Sequence, residues 1–251
     1  MKIIDFHVHI GSYFTSGENS SAERQMELML KYGVEKAVLS NINALRSNCH
    51  DFKGENNKLA KYVSKFPDNL YGYAVINPLE GKKAINEFRR SVEKLGMKGL
   101  KLHPWLQGFS CSDSEIMPVV EESIRLKVPI LFHDGTPPYS TPLQIANLAR
   151  MYPEATIILG HSGLHDLWKN AIAGAEKYKN LYLCLCGPST FAMERIINQV
   201  SIDRIVFGTD LINANGKDFI FRIRQFLSLD IHTEKKKKIL WENPLNLLNS
   251  H

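Results

Sequence analysis

Five side chains that can grip a divalent cation recur at matching places in this sequence. His7 and His9 lie two apart in Ile3-Ile4-Asp5-Phe6-His7-Val8-His9. His133 ends Leu131-Phe132-His133, His161 ends Leu159-Gly160-His161, and Asp210 ends Phe207-Gly208-Thr209-Asp210. Imidazole nitrogen and carboxylate oxygen are the donors zinc takes, and manganese or iron fit the same set. A lone His-x-His is equally readable as two hydrogen-bonded core histidines, because buried polar groups are paired. Four histidines and an aspartate that each follow a short apolar run are harder to assign to packing, since unpaired buried polar groups are costly.

The elements that carry these residues alternate. Short β-like runs occur at 3–9, 36–40, 70–76, 99–103, 129–133, 156–159, 181–184 and 204–207. Helix-like stretches lie between and after them, at 22–32, 56–66, 81–95, 114–127, 142–151, 166–173, 190–199 and 218–227. Strands alternating with helices imply a parallel sheet with crossover helices. A doubly wound sheet is the rival, but eight repeats in 251 residues fit a closed (β/α)8 TIM barrel. With no low-complexity linker, residues 1–251 read as one domain. Side chains alternate along a strand, so Asp5, His7 and His9 should point into the barrel and Ile4, Phe6 and Val8 toward the helices. The ligand-type residues would then gather at the C-terminal rim, where TIM barrels carry their active sites. Gly33, Gly96 and Gly174 sit near expected helix ends, and Pro67 and Pro153 follow apparent helices that they could not extend. Segments 233–240 and 244–248 should pack on the barrel exterior or across its lower end.

Composition narrows the function classes. The chain is 44% hydrophobic and 23% charged, ordinary for a globular protein with a substantial core. No apolar run reaches the roughly 18 residues of a membrane span, and the N-terminus enters a strand without an apolar leader. A cytoplasmic location without membrane association is the expectation. Net charge is +5, much of it from Lys235-Lys236-Lys237-Lys238, which reads as a solvated helix face rather than a nucleic-acid site. Cys49, Cys111, Cys184 and Cys186 form no C-x-x-C pair and read as reduced core or rim thiols.

Asp5-Phe6-His7-Val8-His9, Lys98-Gly99-Leu100-Lys101-Leu102-His103-Pro104, His133, Gly160-His161-Ser162-Gly163 and Gly208-Thr209-Asp210 together resemble the amidohydrolase superfamily. Within it they resemble the group that includes aminocarboxymuconate-semialdehyde decarboxylase, as does the closing Glu242-Asn243-Pro244-Leu245-Asn246-Leu247-Leu248. The resemblance spans essentially the whole chain. It implies that His7, His9, His133 and Asp210 bind a divalent metal, most simply one zinc ion, with manganese or iron as alternatives. It implies that Asp210 also takes a proton from metal-activated water, and that His161 is a general acid/base or a ligand to a second ion. It further implies a small-molecule substrate and a homodimer. Physically, a bound ion lowers the pKa of water toward about 7, and a nearby carboxylate can accept the proton.

Strand parity turns Gly99, Lys101 and His103 inward. Some binuclear relatives bridge their ions with a carboxylated lysine on this strand. The alternative for Lys101 is a buried ion pair with Asp5. His103 and the adjoining Trp105 are placed to touch substrate, His103 alternatively to orient a ligand. Arg46, after the second strand, could clamp a substrate carboxylate through its planar fork or stand on the surface. The turn Asp134–Tyr139, Asn213 and Asn215 could line the pocket. His50, His232 and His251 read as exposed, and His165 as the start of a helix. The chemistry expected first is hydrolysis of an amide, ester or lactone; the alternative on the same ligands is nonoxidative decarboxylation of an aromatic or unsaturated acid.

Overall fold

Eight parallel strands pair in chain order: β1 (Ile3–Ile10), β2 (Val34–Asn41), β3 (Leu70–Val75), β4 (Gly99–Leu102), β5 (Ile130–Phe132), β6 (Ile157–Leu159), β7 (Leu181–Leu185) and β8 (Ile205–Phe207). The computed structural model describes residues 1–11, 21–46, 48–211 and 216–249, and for 216–218 the backbone alone. The sheet closes on itself just beyond β8. Asp210 N donates to His7 O at 2.9 Å and His9 N to Leu211 O at 2.8 Å, and Val8 bridges Leu211. This is the (β/α)8 barrel that the strand–helix rhythm implies.

Two apolar shells follow from strand alternation. Ile130, Phe132, Ile157, Leu159, Leu183, Leu185, Ile205 and Phe207 face outward and bury the inner faces of the helices. Val38, Tyr73, Leu131, Ile158, Cys184 and Val206 face inward and fill the barrel beneath the rim. Helix starts are set by local chemistry. Thr141 forms a full capping box with Gln144 ahead of helix Pro142–Met151, and Ser189 caps Thr190–Gln199. Helix Phe52–Val63 begins ahead of the expected residue 56 because the Asp51 side chain accepts from Gly54 N at 2.8 Å. Gly174 lies inside helix Trp168–Lys177 rather than at an end; a Cβ there would come 3.0 Å from Ala146 Cβ, so it permits close helix packing. The C-terminal helical segments, spanning Thr233 to Asn249 with a wider π turn at Lys238–Glu242, cross the lower end of the barrel. Leu247 and Leu248 plug the interior there, and Asn243 Nδ2 donates to Ile202 O and Ile205 O. Among the described residues no helix is long and apolar enough to cross a membrane.

The first strand departs from simple alternation. Asp5 pairs with Ala37 but Val8 with Leu39, so β1 carries one residue more than β2 across this stretch, a β-bulge. The consequence corrects the parity expectation. Ile4 and Phe6 point into the barrel floor, Phe6 edge-on to Tyr73 with ring centroids 5.9 Å apart. The face then shifts, so that His7 and His9 also turn toward the interior, one layer higher. Asp5 falls on the other side of the bulge. Its carboxylate accepts from His7 N (3.2 Å), Thr209 N (2.9 Å) and Thr209 Oγ1 (2.5 Å). It therefore ties β1 to the end of β8 and does not pair with Lys101 as the alternative above supposed. Replacing Thr209 by valine keeps the shape and removes a donor from this buried carboxylate. The expected loss is about 1–3 kcal/mol, read as a lower urea midpoint with an unchanged m-value.

Candidate metal centre

At the C-terminal rim the ends of five strands bring their polar side chains together. One atom each from His7, His161 and Asp210 forms a donor set, all within 4.8 Å of one another. His9 joins through Asp210, with Nε2 3.1 Å from Oδ1, while His7 Nε2 is 3.5 Å from the same oxygen. His133 stands against His161 with centroids 4.2 Å apart and stacks flat on His103 at 3.7 Å. The four candidate ligands read from sequence are thus gathered at one mouth. His161 belongs to the inner donor set, and His133 is set further back with its Nε2 3.1 Å from Thr136 Oγ1.

Backbone geometry makes room for this. Asp210 adopts a left-handed conformation, φ 57°, which aspartate tolerates better than most residues. The turn is held by the seam bonds to β1 and by Leu211 N donating to Thr209 Oγ1 at 3.2 Å. Gly208 allows β8 to lie against His7: a Cβ at this position would come 2.7 Å from His7 Cβ and 2.8 Å from Cys184 Sγ.

Each ring is oriented by a group behind it. His7 Nδ1 donates to Gly160 O at 3.1 Å, which leaves Nε2 as the atom facing Asp210. His9 Nδ1 lies 2.8 Å from Ser40 Oγ. His161 Nδ1 lies 3.2 Å from Cys186 Sγ. Asp134 accepts from His161 N at 2.6 Å and Gly163 N at 2.5 Å, anchoring the turn after β6 instead of lining the pocket. Ser40, Asp134, Thr136 and Cys186 were not singled out from sequence for these roles. Only inward strand parity, for Ser40 and Cys186, offered a signal.

Burial dominates the electrostatics. It lowers the pKa of His7 and His133 well below the ordinary value and lowers that of His9. It takes His103 down to about 2 and His161 to about 4. These imidazoles are neutral at pH 7, the form that ligates metals. Burial alone would raise the Asp210 carboxyl, but His161, His7 and His9 around it outweigh that and hold it well below the usual range. Asp210 remains 31% exposed at its side chain, the more open member of its pairs with His7 (0%) and His9 (5%). His161 Nε2 is buried and has no hydrogen-bond partner among the described residues. A cation among these groups would satisfy that lone pair, so the donor set fits one divalent ion.

The remaining expectations fare unevenly. Lys101 is fully buried and its Nζ lies 2.9 Å from His7 Nε2. Burial brings its pKa down to about 8. His103 is buried beside His133, and Trp105 stands 54% exposed with its ring 6.2 Å from His103. Arg46 closes the short helical turn Ile42–Leu45 that follows β2. His50, His165 and His232 are exposed, while Asn213, Asn215 and His251 lie outside the described residues.

Fold and rim chemistry define a metal-binding (β/α)8 barrel enzyme class, and sequence comparison agrees. Residues 4–249 match the amidohydrolase family model of the amidohydrolase-2 type, and the chain belongs to that family. No curated protein matches the sequence. Among solved structures, a dihydroxybenzoic acid decarboxylase from Polaromonas sp., with bound manganese and the inhibitor 2-nitroresorcinol, is similar at TM-score 0.78 and 20% identity, covering 98% of this chain and 96% of that one. A 2,6-dihydroxybenzoate decarboxylase complexed with 2,6-dihydroxybenzoate has the same score and identity, with 98% of each chain covered. A 5-carboxyvanillate decarboxylase from Sphingomonas paucimobilis reaches 0.78 at 13% identity, again with 98% of each chain covered. At these identities the likeness is one of fold.

Lys101 gives this site a pH signature. Its pKa falls on folding from 10.5 to about 8. Between those values the unfolded chain holds a proton that the folded one lacks, so stability rises with pH across that window and is lost as pH falls through 8. The contribution is on the order of 3 kcal/mol. Urea unfolding of the metal-free protein from pH 7.5 to 10.5 should show this limb, and Lys101→Met should flatten it.

Proposed function

We propose that this chain is a metal-dependent nonoxidative decarboxylase of a small aromatic or unsaturated carboxylic acid. The observation that carries the reading is Asp210. Asp5 and Asp134 also lie close to the rim, but backbone and hydroxyl donors occupy both carboxylates. Asp210 is the one of the three that opens to the mouth and contacts the imidazoles.

When bound, a divalent ion would supply Lewis acidity toward the anionic oxygens of the substrate. His7, His9, His161 and Asp210 are the residues that would hold it, with His133 completing the wall. Manganese, one of the expected alternatives to zinc, is supported by the manganese in a structural relative. The neutral stacked pair His103–His133, with Trp105 beyond it, offers aromatic faces on which a planar acid would stack. Asp210, ionised at rest, would take a proton from solvent at the mouth once substrate is bound and pass it to the substrate carbon. The carbon–carboxylate bond breaks, its electron pair takes that proton, carbon dioxide leaves, and Asp210 is again a carboxylate. His161, expected from the resemblance as a general acid/base, belongs to the same donor set, with its Nδ1 3.2 Å from Cys186 Sγ.

Hydrolysis of an amide, ester or lactone uses the same donors, and the decarboxylases among the structural relatives favour the lyase reading over it. The test is carbon dioxide release from a panel of hydroxybenzoic and unsaturated acids by manganese- or zinc-loaded protein. Chelation should abolish release, and Asp210→Asn should lower kcat by roughly 100-fold or more, at the lower end of general-acid contributions. Turnover of lactones or amides with no carbon dioxide from any acid would sink the proposal.

A further inference from the structure

We propose that Cys186 is a positioning residue: its thiol sets the tautomer of His161 and, through the Gly160 carbonyl that it shares with His7, turns the Nε2 atoms of both rings toward the cation. This rests on the reading that His7 and His161 face a metal ion.

Cys186 follows β7 directly and is 1% exposed. A bond from its own N to Cys184 O (3.0 Å) tightens the chain there. The next residue, Gly187, lets this turn lie against His161, since a Cβ there would meet His161 O at 2.5 Å. The sulfur touches three polar atoms: Gly160 O at 2.8 Å, His161 Nδ1 at 3.2 Å and His7 Nδ1 at 3.5 Å.

Proton counting orders these contacts. A thiol has one proton, and the shortest contact gives it to the Gly160 carbonyl. The sulfur then meets His161 Nδ1 only as an acceptor, so His161 must carry its proton on Nδ1. The second lone pair of Gly160 O takes the Nδ1 proton of His7 at 3.1 Å. Both rings are left with Nε2 lone pairs. That of His7 receives Lys101 Nζ at 2.9 Å, and that of His161 is buried with no partner among the described residues. The opposite tautomer of His161 would bury an N–H with no acceptor.

Cys184, Cys186 and His7 also lie close enough to suggest a sulfur-ligated ion. The Cys186 sulfur is instead engaged by the Gly160 carbonyl at 2.8 Å and by His161 Nδ1 at 3.2 Å, the contacts of a hydrogen-bonding thiol.

The test begins with metal-free wild-type protein, using two-dimensional nitrogen-15 NMR of the imidazoles, with the His161 signal assigned by its loss in His161→Gln. The expected pattern is protonated Nδ1 and bare Nε2. In Cys186→Ala that signal should move toward a tautomer mixture, and manganese affinity, read by EPR titration, should weaken about 10–100-fold. Cys186→Ser, which keeps a donor and an acceptor, should restore both. A wild-type His161 protonated on Nε2 overturns the proposal without need of any variant. So does an unchanged tautomer in Cys186→Ala, or a thiolate charge-transfer band on cadmium titration of the wild type. The NMR result does not depend on the reaction, so a failed decarboxylase assay leaves it standing.

Discussion

Closing a parallel barrel requires the last strand to find the first, and here the backbone of the site makes that seam. His7 and Asp210 share one closing hydrogen bond, and His9 and Leu211 share the other. Asp5 clamps the seam from behind through Thr209. The bulge in β1 is what allows the arrangement. It spends one extra residue so that Phe6 can fill the floor and His7 can still face the cavity above it. Barrel integrity and donor placement are therefore one constraint, and a substitution that loosens the seam disturbs both.

That constraint produces an unusual electrostatic interior. Five imidazoles, the Asp210 carboxylate and one lysine occupy a region where charge is poorly solvated. The histidines respond by remaining neutral, and Asp210 remains ionised because imidazoles surround it. Lys101 lies beside His7 with its pKa drawn down. Neutral imidazole nitrogens beside an anionic carboxylate form the environment a divalent cation stabilises. Beneath this layer the barrel is apolar and sealed by Leu247 and Leu248, so approach is from the mouth.

The sequence by itself determined the strand–helix rhythm, because alternating apolar runs and amphipathic stretches admit few other folds. It also determined His7, His9, His133, His161 and Asp210 as one set, because the rim of such a barrel collects whatever follows each strand. Tertiary structure decided what depends on three-dimensional register. A one-residue bulge leaves no mark in residue types, so the inward placement of Phe6 and the diversion of Asp5 from Lys101 to Thr209 could not be read in advance. Nor could the partners behind the rings, since Ser40, Gly160 and Cys186 are distant in sequence from the histidines they orient, apart from the adjacency of Gly160 and His161. Periodicity along a chain records which face a side chain prefers. Which atom it meets there depends on how neighbouring strands slide against one another.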